Sequence, residues 1–505
     1  MKVNVTHPQY LANLDRWSRA RAVIGGEDEI KLAGEKYLPK LDAQTPEEYK
    51  SYKTRACFFN ATGRTLEGFL GLLFRRDPFI KLPASTKSPE YKNFLDDVDL
   101  LGSSLFTFCK SVAAAVLSVG RMGTLVDWHG AGIGRAYVCS YAAEDIINWN
   151  TKQVAGRNVL SLVVLRELVS RINPDDKFQV QEIERFRVLN LETVSPDVEQ
   201  YVVEVWESLA DNHQSKTSQE AGWNVVERKI PLRNGKPLNF IPFVFHGPKN
   251  SRPDVDVIPM EHIIHVNLDH YRLDADYKHG LHFTALPTAW VSGFDKTADL
   301  KIGSSTAWVA EQAGAVAGFL EFRGLGLSTF ENAQNRDERL MAVLGSRMLE
   351  DTKKVGETAD TIELRQAGEN SVLQTLACSL SDSLTQVLRH VAWWSSTAEV
   401  QDDSVLITIN TDFTAKGLTS VELTAIVSAW QAGAISQTTM FDLFRKGEVL
   451  PTGRTDVEEK GLIQNGQENP TGVFPNGPTG PGVGATPAKS NIQHSTPNAQ
   501  GNGAS

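Results

Sequence analysis

The stretch HIIHVNLDHYRLDADYKHGLHF, residues 262–283, places five histidines and three aspartates within twenty-two residues. A zinc or iron centre needs such side chains converging from one side. His262, His265 and Asp269 recur at the i, i+3, i+7 spacing of one helical face, with Asp276 two turns further on. Read that way, the chain is a metal-dependent hydrolase or nuclease. Against it, the HExxH signature is absent, and His270 and His279 fall on other faces of the same helix. Leu268, Tyr271 and Ala275 supply a separate apolar strip, as a solvated amphipathic helix has. The sequence favours a polar helix face over a metal site, and no cofactor is expected.

Other chemistry-bearing patterns are sparse. GAGIG (130–134) has the glycines of a dinucleotide loop, but RAYVCSYA after it reads as a strand where a helix N-terminus should receive the pyrophosphate, so it is expected to be a turn. There is no GxxxxGK[ST] and no GxSxG, so neither a nucleotide-driven motor nor a serine hydrolase is indicated. Arg75 with Arg76 and Arg185 with Arg187 read as surface or interface charges. Lys353 and Lys354 differ, because they sit in a glycine-hinged polar interval between long helical segments, where a loop can touch a phosphate backbone without reading sequence.

The elements that must position these residues follow from composition and periodicity. With 505 residues, 41% hydrophobic and 22% charged, the chain is long enough for two to four domains of ordinary globular kind. The formal charge of −10 argues against a protein that coats nucleic acid but not against one that lets DNA slide past. The first twenty residues carry Asp15, Arg16 and Arg19 where a secretory signal needs an apolar run, and no segment is expected to span a membrane. Cys57, Cys109, Cys139 and Cys378 are scattered and read as buried thiols of a reducing compartment.

To about residue 125 the pattern is helical. Thr45 caps TPEEY with Pro46 at the first helical position, and RTLEGFLGLLF (64–74) is stopped by Asp77-Pro78. GTLVDWH and RAYVCSYAAEDIINWN read as strands, and from 159 to 246 a period of two predicts an antiparallel sheet that includes IPFVFHG. A long helix is expected from Pro259 to Phe283, roughly 36 Å at 1.5 Å per residue. Another is expected from Ser328 to Glu350, with Ser328 and Glu331 as a capping box and Leu340, Leu344 and Met348 as its apolar stripe. An amphipathic helix at 371–394, a strand at 404–413 and short helices capped at Thr419/Glu422 and Thr455/Glu458 follow. From Gln464 the composition predicts a disordered tail. No repeat of fixed period is found.

That order of elements resembles a tailed-bacteriophage portal protein, of the portal-like family long catalogued as a domain of unknown function. The segments that carry the resemblance include YLPKLDAQTPEEYKSYKTRACFFNATGRTLEGFLGLLFRRDP (37–78), VNLDHYRLDADYKHGLHF (266–283) and FLEFRGLGLS (319–328). MAVLGSRMLED (341–351), TADTIELRQAGENSVLQTLACSL (358–380) and ISQTTMFDLFRKGEVLP (435–451) extend it to most of residues 5–463. The resemblance implies an α+β portal fold and a homo-oligomeric ring, usually of about twelve subunits joined head to tail. It implies a wing at 1–258, stem helices at 259–283 and 328–350, a clip at 284–327 and a tunnel loop at 351–370. A further wing helix and strand at 371–415, a crown at 416–463 and the tail at 464–505 complete it. The ring sits at one capsid vertex of the virion, after assembly in the host cytoplasm, and passes double-stranded DNA without sequence preference. Expected partners are the terminase large subunit, whose separate ATPase fits the missing P-loop, the major capsid or scaffolding protein, and a head–tail adaptor. In this reading His262, His265, Asp269 and Asp276 are channel or intersubunit groups, and a partly protonated histidine ring softens the repulsion between an acidic channel and DNA. Lys353 and Lys354 grip the DNA backbone transiently. An adaptor protein is a further alternative, against which the length of the chain speaks.

Overall fold

The computed structural model describes residues 2–82, 89–129, 134–154, 156–173, 176–195, 198–208, 222–285, 288–294, 308, 313–320, 326–347, 372–395, 404–413, 418, 420–447, 449–450 and 454–468. Lys353 and Lys354, the interval 351–370, the GAG of GAGIG, Thr419 and the chain after Glu468 lie outside them.

The N-terminal third is helical because its punctuation is. α1 (Pro8–Gly25) starts on the His7 side chain and ends at Gly26, whose φ of 98° suits only glycine; α2 (Glu27–Ala33) follows directly. α3 (Pro46–Arg55) carries the expected capping box, Thr45 and Glu48 each bonding the other's backbone N–H. Asn60 caps α4 (Ala61–Leu73) and Ser104 caps α6 (Leu105–Val119), with β1 (Phe79–Lys81) and α5 (Pro89–Asp96) between. α6 is the hub. Phe108, Cys109, Val112, Ala113, Val116 and Leu117 are buried, and each large apolar side chain taken from water contributes about 1.5–3 kcal/mol.

Two sheets follow. β2 (Met122–Trp128) and β3 (Ala136–Ala142) form an antiparallel hairpin, as the turn reading of GAGIG requires. β4 (Ile146–Val154), β5 (Arg157–Asn173), β6 (Asp176–Ser195), β7 (Val198–Ser208) and β8 (Trp223–Lys229) make a five-stranded antiparallel meander in chain order. A two-stranded turn of β9 (Leu232–Arg233) and β10 (Lys236–Pro237) precedes β11 (Phe243–His246). Here the sequence reading needs correction. IPFVFHG does not join the meander; β11 pairs with β2 instead, Phe245 opposite Gly123. A β-carbon at position 123 would stand 2.2 Å from Phe243 Cζ, so this glycine admits the strand.

α7 (Glu261–Ala285) and α8 (Leu327–Arg347) flank a β-hairpin of β12 (Thr288–Ser292) and β13 (Val316–Leu320). α9 (Val372–Ser395) buries the expected stripe of Leu373, Leu380, Leu384, Val387, Val391 and Trp394. It also buries small polar residues that latch it on both sides. Ser379 Oγ donates to Gly247 O (2.8 Å), Ser383 Oγ meets His246 Nδ1 (2.8 Å), and Ser381 and Thr385 accept from the backbone N–H of Ile409 and Ile407. β14 (Leu406–Thr408) then pairs with β1, tying the two ends of the chain together. α10 (Ser420–Gln431), α11 (Gln437–Lys446) and α12 (Asp456–Glu468) close the described chain. α12 carries the expected Thr455/Glu458 box and runs on past Gln464, where composition alone placed the start of a tail. The result is a mixed α+β fold with twelve α-helices among the described residues.

Two further expectations are corrected. Cys57 and Cys378 are exposed; Cys109 is buried and Cys139 half-buried. Arg185 and Arg187 are not free surface charges, since both grip the Glu167 carboxylate (2.6 and 2.7 Å), which also accepts from Tyr141 Oη. Burial and the neighbouring Arg187 act against each other on Glu167, and the guanidinium wins, holding its pKa below the usual carboxylate range.

Candidate functional site

α7 is polar because its partners are polar. It lies along the segment 52–62, where the chain leaves α3 and enters α4 and backbone groups need partners. Asn267, fully buried, donates to Phe59 O (2.8 Å) and accepts from Thr62 N (3.1 Å) and Thr62 Oγ1 (2.8 Å). Asp274 accepts from Cys57 N (2.7 Å) and Asp276 from Tyr52 Oη (2.6 Å), while His279 Nδ1 meets Arg55 (3.2 Å). Ile263, Ile264, Leu268, Tyr271 and Ala275 complete the buried face.

Along its other side α7 meets α8 in one antiparallel register. Tyr277 Oη donates to Glu331 Oε1 (2.5 Å), Gln334 Nε2 to Asp274 Oδ1 (3.4 Å), and His270 Nε2 stands 3.5 Å from Glu338 Oε1. Each step back along α7 is matched by an equal step forward along α8. The pairing of β12 with β13, Thr288 opposite Leu320 and Ser292 opposite Val316, keeps the same offset, so α7–β12–β13–α8 is one continuous hairpin. Glu331 thus serves Tyr277, and α8 begins at Leu327, so Ser328 lies inside the helix instead of capping it. Met341 is the buried apolar contact of α8, whereas Leu340 is exposed.

The four α7 residues singled out by spacing do not converge. His262, His265 and Asp269 lie exposed on the outer face, and Asp276 points inward to Tyr52. Asp269 pairs with Arg272 (2.9 Å), and His265 stands 3.9 Å from Glu261, itself held by Arg16 in a two-pronged bond (2.9 and 2.5 Å) and by Arg19 (3.5 Å). Among the described residues no three His, Cys, Asp or Glu side chains are grouped to hold a metal ion. Lys353 and Lys354 are outside the described residues.

The electrostatics follow from these neighbours. Arg16 holds the Glu261 carboxyl below its ordinary range. Burial and Arg19 lower the His265 imidazole, and burial and Arg55 lower His279. These two are therefore predominantly neutral near pH 7, which removes them from the expected partly charged histidine ring. Burial raises Asp337 on α8, with Asp269 adding to the effect. The assembly offers no nucleophile with an activating base; it offers a long, ionisable, rigidly registered helix pair. Sequence reasoning missed Asn267 and Asp274. Their signal was there, since both fall on the stripe of Leu268, Tyr271 and Ala275, where a polar residue must have a buried partner.

A family model described as "Domain of unknown function (DUF4055)" matches residues 259–395, from the foot of α7 to the end of α9. No curated protein matches the chain. Solved structures similar to it include one described as "Neck of native GTA particle computed with C12 symmetry", at 9% identity and TM-score 0.34, covering 76% of this chain and 89% of that one. Another, "Virion of native gene transfer agent (GTA) particle", is similar at 10% identity and TM-score 0.34, covering 83% and 98%. "Neck of empty GTA particle computed with C6 symmetry" is similar at 9% identity and TM-score 0.35, again over 83% and 98%.

Proposed function

We propose that this chain is a structural subunit of a phage-like head–tail region, and specifically a portal-type subunit. Copies would form a ring through which double-stranded DNA enters and leaves a capsid. The observation that carries the reading is the continuous α7–β12–β13–α8 hairpin. Two antiparallel helices rise from the body in fixed register, bear ionisable groups on the outer face and end in a short β-hairpin away from the core. A channel wall needs this: backbone satisfied within helices, one side buried against its own subunit, the other tolerant of water. The family match supports the reading because it falls on this hairpin and α9.

In this reading α7 and α8 are the stem, at 259–283 and 328–350, and β12–β13 the clip, at 284–327. The bodies before and after them, 1–258 and 371–415, form the wing; α10–α12 contribute to the crown at 416–463, and 351–370 is the tunnel loop. His262, His265 and Asp269 face the channel or a neighbour. Terminase, capsid or scaffolding protein and an adaptor are the partners. The work of packaging comes from the terminase ATPase, and this chain supplies conduit and docking platform.

The test is the mass of the purified protein by size exclusion with light scattering, with negative-stain microscopy of the same peak and capture of the cognate terminase large subunit. Rings with a central hole that retain terminase are expected. Rings that do not bind terminase would point to an adaptor instead, and near-stoichiometric zinc or manganese in a monomer would return the hydrolase reading.

A further inference from the structure

β5 and β6 are too long for the sheet that holds them. β4 pairs with β5 only through Leu165, and β7 pairs with β6 only from Arg185 onward. From Leu168 to Asn173 and from Asp176 to Glu184 the two strands therefore pair only with each other, as a ribbon of about 20–30 Å at about 3.4 Å per residue. A two-stranded ribbon is marginal in water unless one face is covered.

One face of this ribbon is apolar and open. Leu168 and Ile172 lie on the same side of β5, and Val180 stands opposite Ile172; their exposures are 65%, 61% and 60%. Phe178, at the irregular tip, is 84% exposed. Glu182, opposite Ser170, and Glu184, opposite Leu168, lie on that face, and neither has an ion-pair partner among the described residues. The other face is different in kind, for there Arg171 is tethered to Glu207 (3.4 Å).

A second open apolar feature carries the opposite charge. Before α6 the loop 97–103 is braced from within: Asp99 Oδ1 accepts from Leu101 N (2.9 Å) and Ser103 N (3.2 Å), and Asp97 Oδ1 accepts from Gly102 N (2.9 Å). Leu100 is held at φ 65°, a strained conformation for leucine. The product of that bracing is Leu101, 88% exposed. On the adjoining α6, Phe106 is exposed edge-on to Phe74 (centroids 5.5 Å apart), and Lys110, one turn on, is exposed with no ion-pair partner among the described residues.

We infer that the apolar face of the β5–β6 ribbon in one copy docks on the Leu101–Phe106–Lys110 knob of the next copy, with Glu182 facing Lys110. This rests on the ring reading and adds its contact surfaces. The two surfaces differ, so the contact is head to tail and propagates into a closed ring rather than stopping at a symmetric dimer. Apolar burial supplies the adhesion, and the acid–base pair sets the register.

The test uses full-length protein with the exposed native thiols removed (Cys57→Ser, Cys378→Ser) and oxidative cross-linking of Val180→Cys and Leu101→Cys, with circular dichroism confirming the fold. A disulfide is expected when the two single variants are mixed and not in either alone, and the double variant should give a ladder of oligomers. In addition, Glu182→Lys should raise the protein concentration needed for half-assembly several-fold, and Lys110→Glu in the same chain should restore it. Rings by light scattering without the cross-link would overturn this contact while leaving the ring reading standing. Self-linking of Val180→Cys alone would overturn the head-to-tail assignment. A monomer at all concentrations, with no cross-link, would overturn both.

Discussion

Asn267 illustrates how much one buried side chain can hold. It satisfies the Phe59 carbonyl, the Thr62 amide and the Thr62 hydroxyl at once. Leucine in its place would strand the carbonyl and the amide, so Asn267→Leu should lower unfolding free energy by about 2–4 kcal/mol in urea titration. His246 acts through pH. It is enclosed between Thr124 Oγ1 and Ser383 Oγ (2.8 Å each), and burial lowers its pKa to about 3. The folded state refuses a proton that the unfolded chain accepts near pH 6.5. Its stabilising contribution is complete above that value and is lost progressively as pH falls toward 3. Between pH 7 and pH 5 the wild type should therefore lose on the order of 2 kcal/mol that a His246→Gln variant does not lose, as read from denaturation at the two pH values.

Among the elements, the decisive ones are those whose neighbours come from far along the chain. β11 reaches β2 only because residue 123 has no side chain. Gly123→Ala should force Phe243 and Ile146 aside and cost about 1–3 kcal/mol, seen as a lower melting temperature with the overall fold retained. The helices themselves were legible from local signals. Thr45/Glu48 and Thr455/Glu458 behave as capping boxes, and the stripe of α9 is buried as its spacing predicted. The Ser328/Glu331 pair failed because a capping box competes with any better partner, and Tyr277 of α7 provides one.

For the whole molecule, the proposed conduit turns on charge. An acidic protein of net charge −10 weakens contact with DNA, so any grip must be local. Replacing Lys353 and Lys354 together with alanine should leave ring mass unchanged and reduce the amount of DNA packaged and retained per particle, measured by packaging assay with the cognate terminase. Unchanged packaging would remove these lysines from the mechanism.

By itself the sequence determined the succession of helices and strands, the polar character of 262–283 and the lack of any nucleotide-binding signature, because capping, periodicity and glycine or proline breaks act over a few residues. Only the tertiary structure decided which strand joins which sheet, that Arg185 and Arg187 serve Glu167, and that Asn267 and Asp274 rather than His262 and His265 are the working polar residues of α7. Those outcomes depend on partners tens to hundreds of residues away, whose approach is set by the packing of the core and leaves no local trace in the chain.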